Sequence, residues 1–434
     1  NSHHNNNLKA SRVANMRYNL QMTSRIAVVM VHTSPLEQPG IGDAGGMNIY
    51  VAESAKRIAE SGIKVDIFTR KLSDSGPKWV EFSPGVRICN LDIPVDTKKE
   101  EIPNLIPDIS KQLNQLLREE KYDLIHSHYW ISGKVSMPAA KELKIPLVHT
   151  MHTMARVKNL ALAEGEIPEP MIRVQGESQI VEFAQGLIAN TDAEAASLVS
   201  LYDACPDRVR VVAPGVDLNN FTPDREGARK RMKISTEKQV ITFVGRIQPH
   251  KGPEVLIRAI AELVTHNPML RKNLLVQIIG GASGIKSDEV VRLKDLTSWL
   301  KLTDVIEFNK PVSRENLPDL YRASDLVCVP SYSESFGLVA LEAQACGTPV
   351  VASAVGGLRT AIADGISGVL VDGHDPKAWS SVIARLLMEP QRRLLLSMGA
   401  VEHASHFGWD ATARGTLDVY DRIIDEGKAD RLHA

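Results

Sequence analysis

Ser331-Tyr332-Ser333-Glu334-Ser335-Phe336-Gly337-Leu338-Val339-Ala340-Leu341-Glu342-Ala343 follows directly on Asp325-Leu326-Val327-Cys328-Val329-Pro330, and the reading of these two stretches together decides the fold. Asp325 to Pro330 is a short apolar run stopped by proline, the pattern of a buried strand, and from Phe336 onward the Leu/Ala content is that of a helix. Glu334 then falls in a strand-to-helix turn. The first-turn N–H groups beyond it lack intrahelical partners and carry the positive end of the helix dipole, which suits a diphosphate. At ~1.5 Å per residue, a helix starting near Phe336 sets Glu342 roughly 9 Å from its start, about the span from a diphosphate to a ribose diol. On this reading one carboxylate faces a donor sugar and the other the ribose. The plain alternative is an amphipathic helix with two solvated glutamates, so the rest of the chain must decide.

Working outward, the same strand–helix alternation recurs on both sides. Strands are expected at Val240 to Gly245, Leu274 to Gly281, Val305 to Phe308 and Pro349 to Ala352. An earlier series runs through Ile26 to Val31, Val65 to Thr69, Val86 to Ile93, Leu124 to His128 and Pro146 to Thr153, with helices from Asn48 and over Asn104 to Glu119. This is the α/β pattern of two doubly wound, mostly parallel sheets facing one another across a cleft. Pro214-Gly215, within Val211 to Asp217, punctuates the chain as a hinge. The expected organisation is a loose tail over 1–24, one Rossmann-like domain over 25–215, a second over 216–408, and a segment 409–434 whose helix from Trp409 crosses back to the first domain.

Composition bounds the function. A chain of 434 residues with 43% hydrophobic and 24% charged residues can bury two cores, and a formal net charge of -1 argues against a general nucleic-acid binder. Any anion site must be local. No apolar run approaches ~18 residues, which argues against a membrane span. Cys89, Cys205, Cys328 and Cys346 stand far apart without metal-ligand spacing, and because Cys89 and Cys328 lie in apolar runs, buried free thiols in a reducing cytoplasm are the expectation rather than disulfides. The polar opening to Ser24 has no apolar centre and reads as a tail rather than a signal peptide.

Several turns carry chemistry. Gly40-Ile41-Gly42-Asp43-Ala44-Gly45 literally satisfies G-x-G-x-x-G, but it stands well past its strand and the next strand ends in Thr69-Arg70 rather than an acid. A nicotinamide site is therefore rejected in favour of a loop that closes over a ligand. Gly245-Arg246-Ile247-Gln248-Pro249-His250-Lys251-Gly252 places two cations five apart at a strand exit, able to hold and stabilise a departing diphosphate. Gly280 to Gly284 and Ala354 to Leu358 are glycine turns that allow close approach to a base or phosphate. His32, His128 and His152 fall at strand ends, where satisfied sheet-edge histidines are favoured over a metal cluster.

Gly245-Arg246 to Lys251-Gly252, with Glu334-Ser335-Phe336-Gly337 and Glu342, resembles glycosyltransferase family 4, retaining enzymes of the GT-B fold, over residues 25–420. The loop His32 to Asn48 and His126-Ser127-His128-Tyr129-Trp130 resemble the members that move N-acetylglucosamine from UDP-N-acetylglucosamine to 1D-myo-inositol 3-phosphate, the first step of mycothiol biosynthesis. The resemblance implies donor contacts at Gln38, Pro39, Gly46, Arg246, Lys251, Val312, Glu334, Ser335, Phe336, Gly337, Leu338 and Glu342. It implies acceptor contacts at His32, Asp43, Ala44, Gly45, Gly46, Met47, Asn48, Lys99, Tyr129, Thr153 and Arg173, and catalytic roles for Arg246, Lys251, His152 and Glu334. No organic cofactor is implied. A structural magnesium would map to Tyr321, Arg322, Ser324 and Thr348, and a homodimer is compatible with the resemblance. Sucrose-phosphate synthases share the Gly45-Gly46 loop type and are the nearest rival; a UDP-sugar 2-epimerase, which also has two facing domains, is the rival from another class.

Overall fold

A computed structural model describes residues 23–40, 42–162, 167–281 and 288–433, with side chains described as far as 427. Most of the 1–24 tail, the turn residues Ala282 to Gly284 and part of the acidic stretch Ala161 to Pro170 lie outside the described residues. The first sheet comprises β1 (Arg25–Met30), β2 (Lys64–Arg70), β3 (Trp79–Ser83), β4 (Val86–Leu91), β5 (Leu124–His128), β6 (Leu147–Thr150), β7 (Gly186–Ala189) and β8 (Val209–Val211), in the order β3-β4-β2-β1-β5-β6-β7-β8. All its pairs are parallel except β3 with β4. The second sheet, wholly parallel, comprises β9 (Gln239–Val244), β10 (Leu274–Ile279), β11 (Ile306–Asn309), β12 (Leu326–Val329), β13 (Val350–Ser353) and β14 (Gly368–Val371), in the order β11-β10-β9-β12-β13-β14.

The apolar runs explain these sheets. Helices cover both faces, so central strands such as Ile26 to Met30 and Leu326 to Val329 are buried throughout and cannot alternate with polar residues. In each sheet the strand order reverses at the first strand of its lobe: β1 lies between β2 and β5, and β9 between β10 and β12. Crevices open at the carboxyl ends of such strands. His32 follows β1, His128 ends β5, Arg246 follows β9 and Ser331 follows β12, so both crevices are lined by residues singled out from the sequence.

Two local features differ from expectation, and the last helix follows it. The sequence reading passes over β3, a half-exposed antiparallel edge strand that no buried face compels. The key helix begins at Leu338 rather than Phe336, because Gly337 takes φ 102° as its cap residue, a backbone state that penalises any side chain. Glu342 is therefore one turn into the helix, ~6 Å from its start rather than ~9 Å. The last helix runs Trp409–His433. Trp409, Ala413, Val419, Tyr420, Ile423 and Ile424 pack into the first lobe's core with Ile26, Val28 and Tyr50, and the Tyr420 hydroxyl meets His126 Nδ1 at 2.6 Å.

Candidate active site

A cavity of about 580 Å³ lies between the lobes and is lined by both. On the second lobe Gly252, at φ 68°, ends the Arg246–Lys251 turn, and a Cβ there would meet the Pro330 carbonyl oxygen at 2.0 Å. That close approach sets Lys251 beside the turn after β12, where its Nζ lies 2.7 Å from Glu334 Oε2. The Ser331 hydroxyl donates to the same carboxylate oxygen at 3.3 Å. Burial would raise the Glu334 carboxyl, but the Lys251 ammonium, joined by His250 and the Ser331 hydroxyl, outweighs it and the group sits below its ordinary value. Arg246 projects toward the first-lobe loop, with its Nε 3.6 Å from the Cβ position of Gly45. Burial lowers its guanidinium, opposed by the charges of Asp43 and Glu334. The two charged turns thus meet.

Glu342 is less free than the sequence suggests. It is buried, with Arg314 Nη1 3.1 Å from Oε1 and the Tyr321 hydroxyl donating to Oε2 at 3.1 Å. Burial nevertheless prevails and its carboxyl is raised. Sequence reasoning missed Arg314. Its one signal was a cation placed just after Val312 at the exit of β11, in the same lobe and at the same sheet edge as Arg246. The Ala354 to Leu358 turn has two neighbours: Val355, Gly356 and Gly357 line the cavity, and the glycines also admit protein backbone. A Cβ on Gly356 would meet the Glu334 carbonyl oxygen at 2.3 Å, and one on Gly357 the Ser335 carbonyl oxygen at 2.2 Å, while Gly357 N–H donates to the Glu334 carbonyl at 2.8 Å.

The first lobe gathers residues far apart in the chain. The Tyr129 ring has Lys99 Nζ 4.8 Å and the Arg173 guanidinium 4.9 Å from its centre, and His32 packs against it at 4.4 Å. Tyr129 itself holds φ 71° at the start of the helix Trp130–Leu143, a strained state of the kind found where a side chain must be aimed. Arg173 donates to the Thr153 carbonyl at 3.0 Å and hydroxyl at 2.9 Å, and pairs with Glu177 and Glu169. His32 is held well below the usual histidine range by burial and by Lys99, His152, Arg173 and Arg246, so this corner is electropositive without a histidine charge. His152, at φ 60°, lies with Nε2 2.9 Å from His128 Nδ1, and burial lowers it to about 3. These histidines are neutral hydrogen-bonded partners, and among the described residues no group of three or more His, Cys, Asp or Glu could hold a metal.

Of the residues implied by resemblance, the cavity wall includes His32, Pro39, Asp43, Gly45, Gly46, Met47, Lys99, Tyr129, His152, Thr153, Arg246, Lys251, Val312, Glu334, Ser335, Phe336, Gly337, Leu338 and Glu342. Gln38, Ala44, Asn48 and Arg173 are not part of that wall. Asn48 holds the loop from within, donating to the Thr33 hydroxyl and the Ser34 carbonyl and accepting from Gly45 N–H. Of the four residues implied for magnesium, only Tyr321 reaches the cavity. Thr348 Oγ1 donates to the Tyr321 carbonyl at 2.6 Å, Ser324 Oγ to the Leu320 carbonyl at 2.6 Å, and the Arg322 guanidinium to the Thr222 and Asn220 carbonyls. The Tyr321 carbonyl and the Thr348 hydroxyl are oxygens of the kind a hard cation takes, whereas the Ser324 hydroxyl and the Arg322 guanidinium are spent on other carbonyls.

A family model described as glycosyl transferases group 1 matches residues 224–400, and one described as glycosyltransferase family 4 matches residues 44–220. This chain belongs to the family 4 glycosyltransferases. Relatives in the family include proteins named D-inositol 3-phosphate glycosyltransferase from Thermobispora bispora, 49% identical over 93% of this chain and 95% of that one, and from Salinispora arenicola, 51% identical over 92% of each. Among solved structures, a sucrose-phosphate synthase from Thermosynechococcus elongatus is 31% identical with a TM-score of 0.86, covering 93% of this chain and all of that one. Anabaena HepE bound to UDP and glucose, 19% identical with a TM-score of 0.71 over 91% of this chain and 98% of that one, shares the fold. The transferase therefore has the GT-B architecture, and its charged turns lie where two lobes of that fold face each other. Membership removes the epimerase and dehydrogenase readings. No helix among the described residues is long and apolar enough to cross a membrane.

Proposed function

We propose that this transferase moves N-acetylglucosamine from UDP-N-acetylglucosamine to 1D-myo-inositol 3-phosphate with retention at the anomeric carbon. One observation carries the reading: a diphosphate-type pair of cations on one lobe and, on the other, Lys99, Tyr129 and Thr153 border a single cavity, with Arg173 against Tyr129 and Thr153 completing a phosphate-type cluster. A phosphorylated acceptor and a nucleotide donor answer those two charges, and the names of the half-identical relatives supply the inositol.

In this mechanism the bond from the sugar's anomeric carbon to the diphosphate breaks as Arg246, Lys251 and the N–H groups at the start of the Leu338 helix take up the developing charge. The acceptor hydroxyl attacks from the face the diphosphate leaves, forming the new glycosidic bond, and its proton passes to a departing diphosphate oxygen. No side chain serves as covalent nucleophile. His152, neutral by burial, holds the donor sugar through a hydroxyl or its own carbonyl, and Glu334, ionised by Lys251, takes a sugar hydroxyl. A magnesium held by Tyr321, Arg322, Ser324 and Thr348 would serve structure only.

A second reading, fructose 6-phosphate as acceptor, draws support from the structural likeness to the sucrose-phosphate synthase. The deciding experiment incubates each UDP-sugar with inositol 3-phosphate or fructose 6-phosphate and reads product mass and anomeric configuration. The expected product is the α-linked N-acetylglucosaminyl inositol phosphate. Formation of sucrose phosphate, or an inverted product, would replace this reading.

A further inference from the structure

One wall of the cavity is used by none of the chemistry above. At the carboxyl end of β7, Asn190 and Thr191 lead into the helix Asp192–Tyr202, and both residues, with Glu194, line the cavity. The local sequence explains the helix start: the Thr191 hydroxyl accepts from Glu194 N–H at 3.1 Å, and Glu194 Oε2 accepts from Asn190 N–H at 2.9 Å, a reciprocal cap. Capping consumes one carboxylate oxygen. The other, Glu194 Oε1, has no hydrogen-bond partner, nor has Asn190 Oδ1, although the two residues are 6% and 2% exposed. A helix cap alone does not require a second, unpaired buried oxygen, whose desolvation is costly.

The surroundings leave Glu194 without a cation of its own. Burial raises its carboxyl to about 7, opposed by the Asn190 amide groups. From the helix Gly46–Glu60, Tyr50 feels the Glu194 charge, and Thr416 of the last helix attends Tyr50. Lys158, on the same cavity wall, is already engaged by Glu169. Two unpaired buried acceptors, both in residues of the cavity wall, call for a ligand that presents hydroxyl donors, not a phosphate.

We propose that Asn190 and Glu194 recognise ring hydroxyls of the acceptor, a polyol-binding wall separate from the cationic cluster that takes its phosphate. This inference rests on the acceptor reading above. The ionised carboxylate accepts a charge-assisted hydrogen bond, so acceptor binding strengthens as pH rises through the Glu194 value and weakens below it.

Glu194→Gln is the informative variant, because its amide oxygen keeps the cap to Asn190 N–H and turns the NH2 donor toward the cavity. At pH 8 the acceptor KM should rise roughly ten-fold or more, with the donor KM within about two-fold of wild type and thermal unfolding little changed. The wild-type acceptor KM should climb as pH falls through about 7, and the variant's should not. An acceptor KM unmoved by the substitution at pH 8, in an enzyme whose wild type glycosylates inositol 3-phosphate, overturns this inference alone. A wild type inert toward inositol 3-phosphate overturns the acceptor reading first and this inference with it.

Discussion

Lys251 and Glu334 are 83 positions apart in the chain and 2.7 Å apart in the fold, and each is legible in the sequence for its own reason: a cation after one strand, a carboxylate after another. What the sequence could not show is that Lys251 tunes Glu334. Glu334 lies below its ordinary 4.5 because Lys251 overcomes burial. A group with a lowered value is ionised at neutral pH and charges down only in acid, so the Glu334 limb of the kcat/KM profile should lie below pH 4.5 in the wild type. In Lys251→Met the largest opposing charge is gone and burial pushes the carboxyl up, so that limb should move to higher pH. At pH 8, kcat should also fall by a factor on the order of 10² to 10³, the usual effect of removing one donor from a developing anion. A pH–rate series on folded variant protein checks both; an unmoved limb would show that the pair is not electrostatically coupled. Arg314 and Tyr321, which hold Glu342, were hidden for a different reason: their contacts span 28 and 21 positions and no spacing rule reaches from a loop or from a separate helix to a helix face.

At the scale of elements, the strand-to-helix turns were the most readable part of the chain, because continuous apolar runs end in glycine or proline and the next run has helical content. Boundaries were less readable where backbone geometry overrides content, as at Gly337, and the edge strand β3 lacks a buried face to mark it. The glycines of the Ala354 to Leu358 turn show the limit well. Their type predicted a close approach, correctly, but not to what. Gly357 lines the cavity and packs against the Glu334–Ser335 turn, and Gly357→Ala would drive a methyl group into a carbonyl oxygen 2.2 Å away. The turn must shift, which should cost about 1–3 kcal/mol of stability and raise the donor KM several-fold while the acceptor KM stays near wild type. Denaturant melts with separate donor and acceptor titrations measure this. Equal losses for both substrates would mean the turn serves the whole cleft rather than the donor.

The molecule as a whole is two lobes joined by two strands of chain that run side by side. Val216 N–H donates to the Phe407 carbonyl at 2.8 Å, Val216 bridges Gly408 in parallel, and a Cβ on Gly215 would stand 2.5 Å from the Trp409 amide nitrogen. The proline and glycine of the first crossing were visible in the sequence. The return crossing before Trp409 was an expectation from folds of this kind, with Gly408 at its start, whereas its pairing alongside the first crossing was not legible; Trp409 and Tyr420 lie in the first lobe's core. Since the cavity is assembled from both lobes, its geometry depends on this double hinge, whereas the diphosphate-type turn, with Lys251 and Glu334, is built entirely within the second lobe. Gly215→Ala would wedge the two crossings apart without touching that turn. UDP binding, followed by calorimetry, should therefore stay within about three-fold of wild type, while kcat falls at least roughly ten-fold because the acceptor is no longer presented in line; a misplacement of about 1 Å is sufficient for a loss of that order. Loss of UDP binding in parallel with turnover would instead mean that first-lobe groups such as Asp43 and Gly46 hold the nucleotide as firmly as the second lobe does.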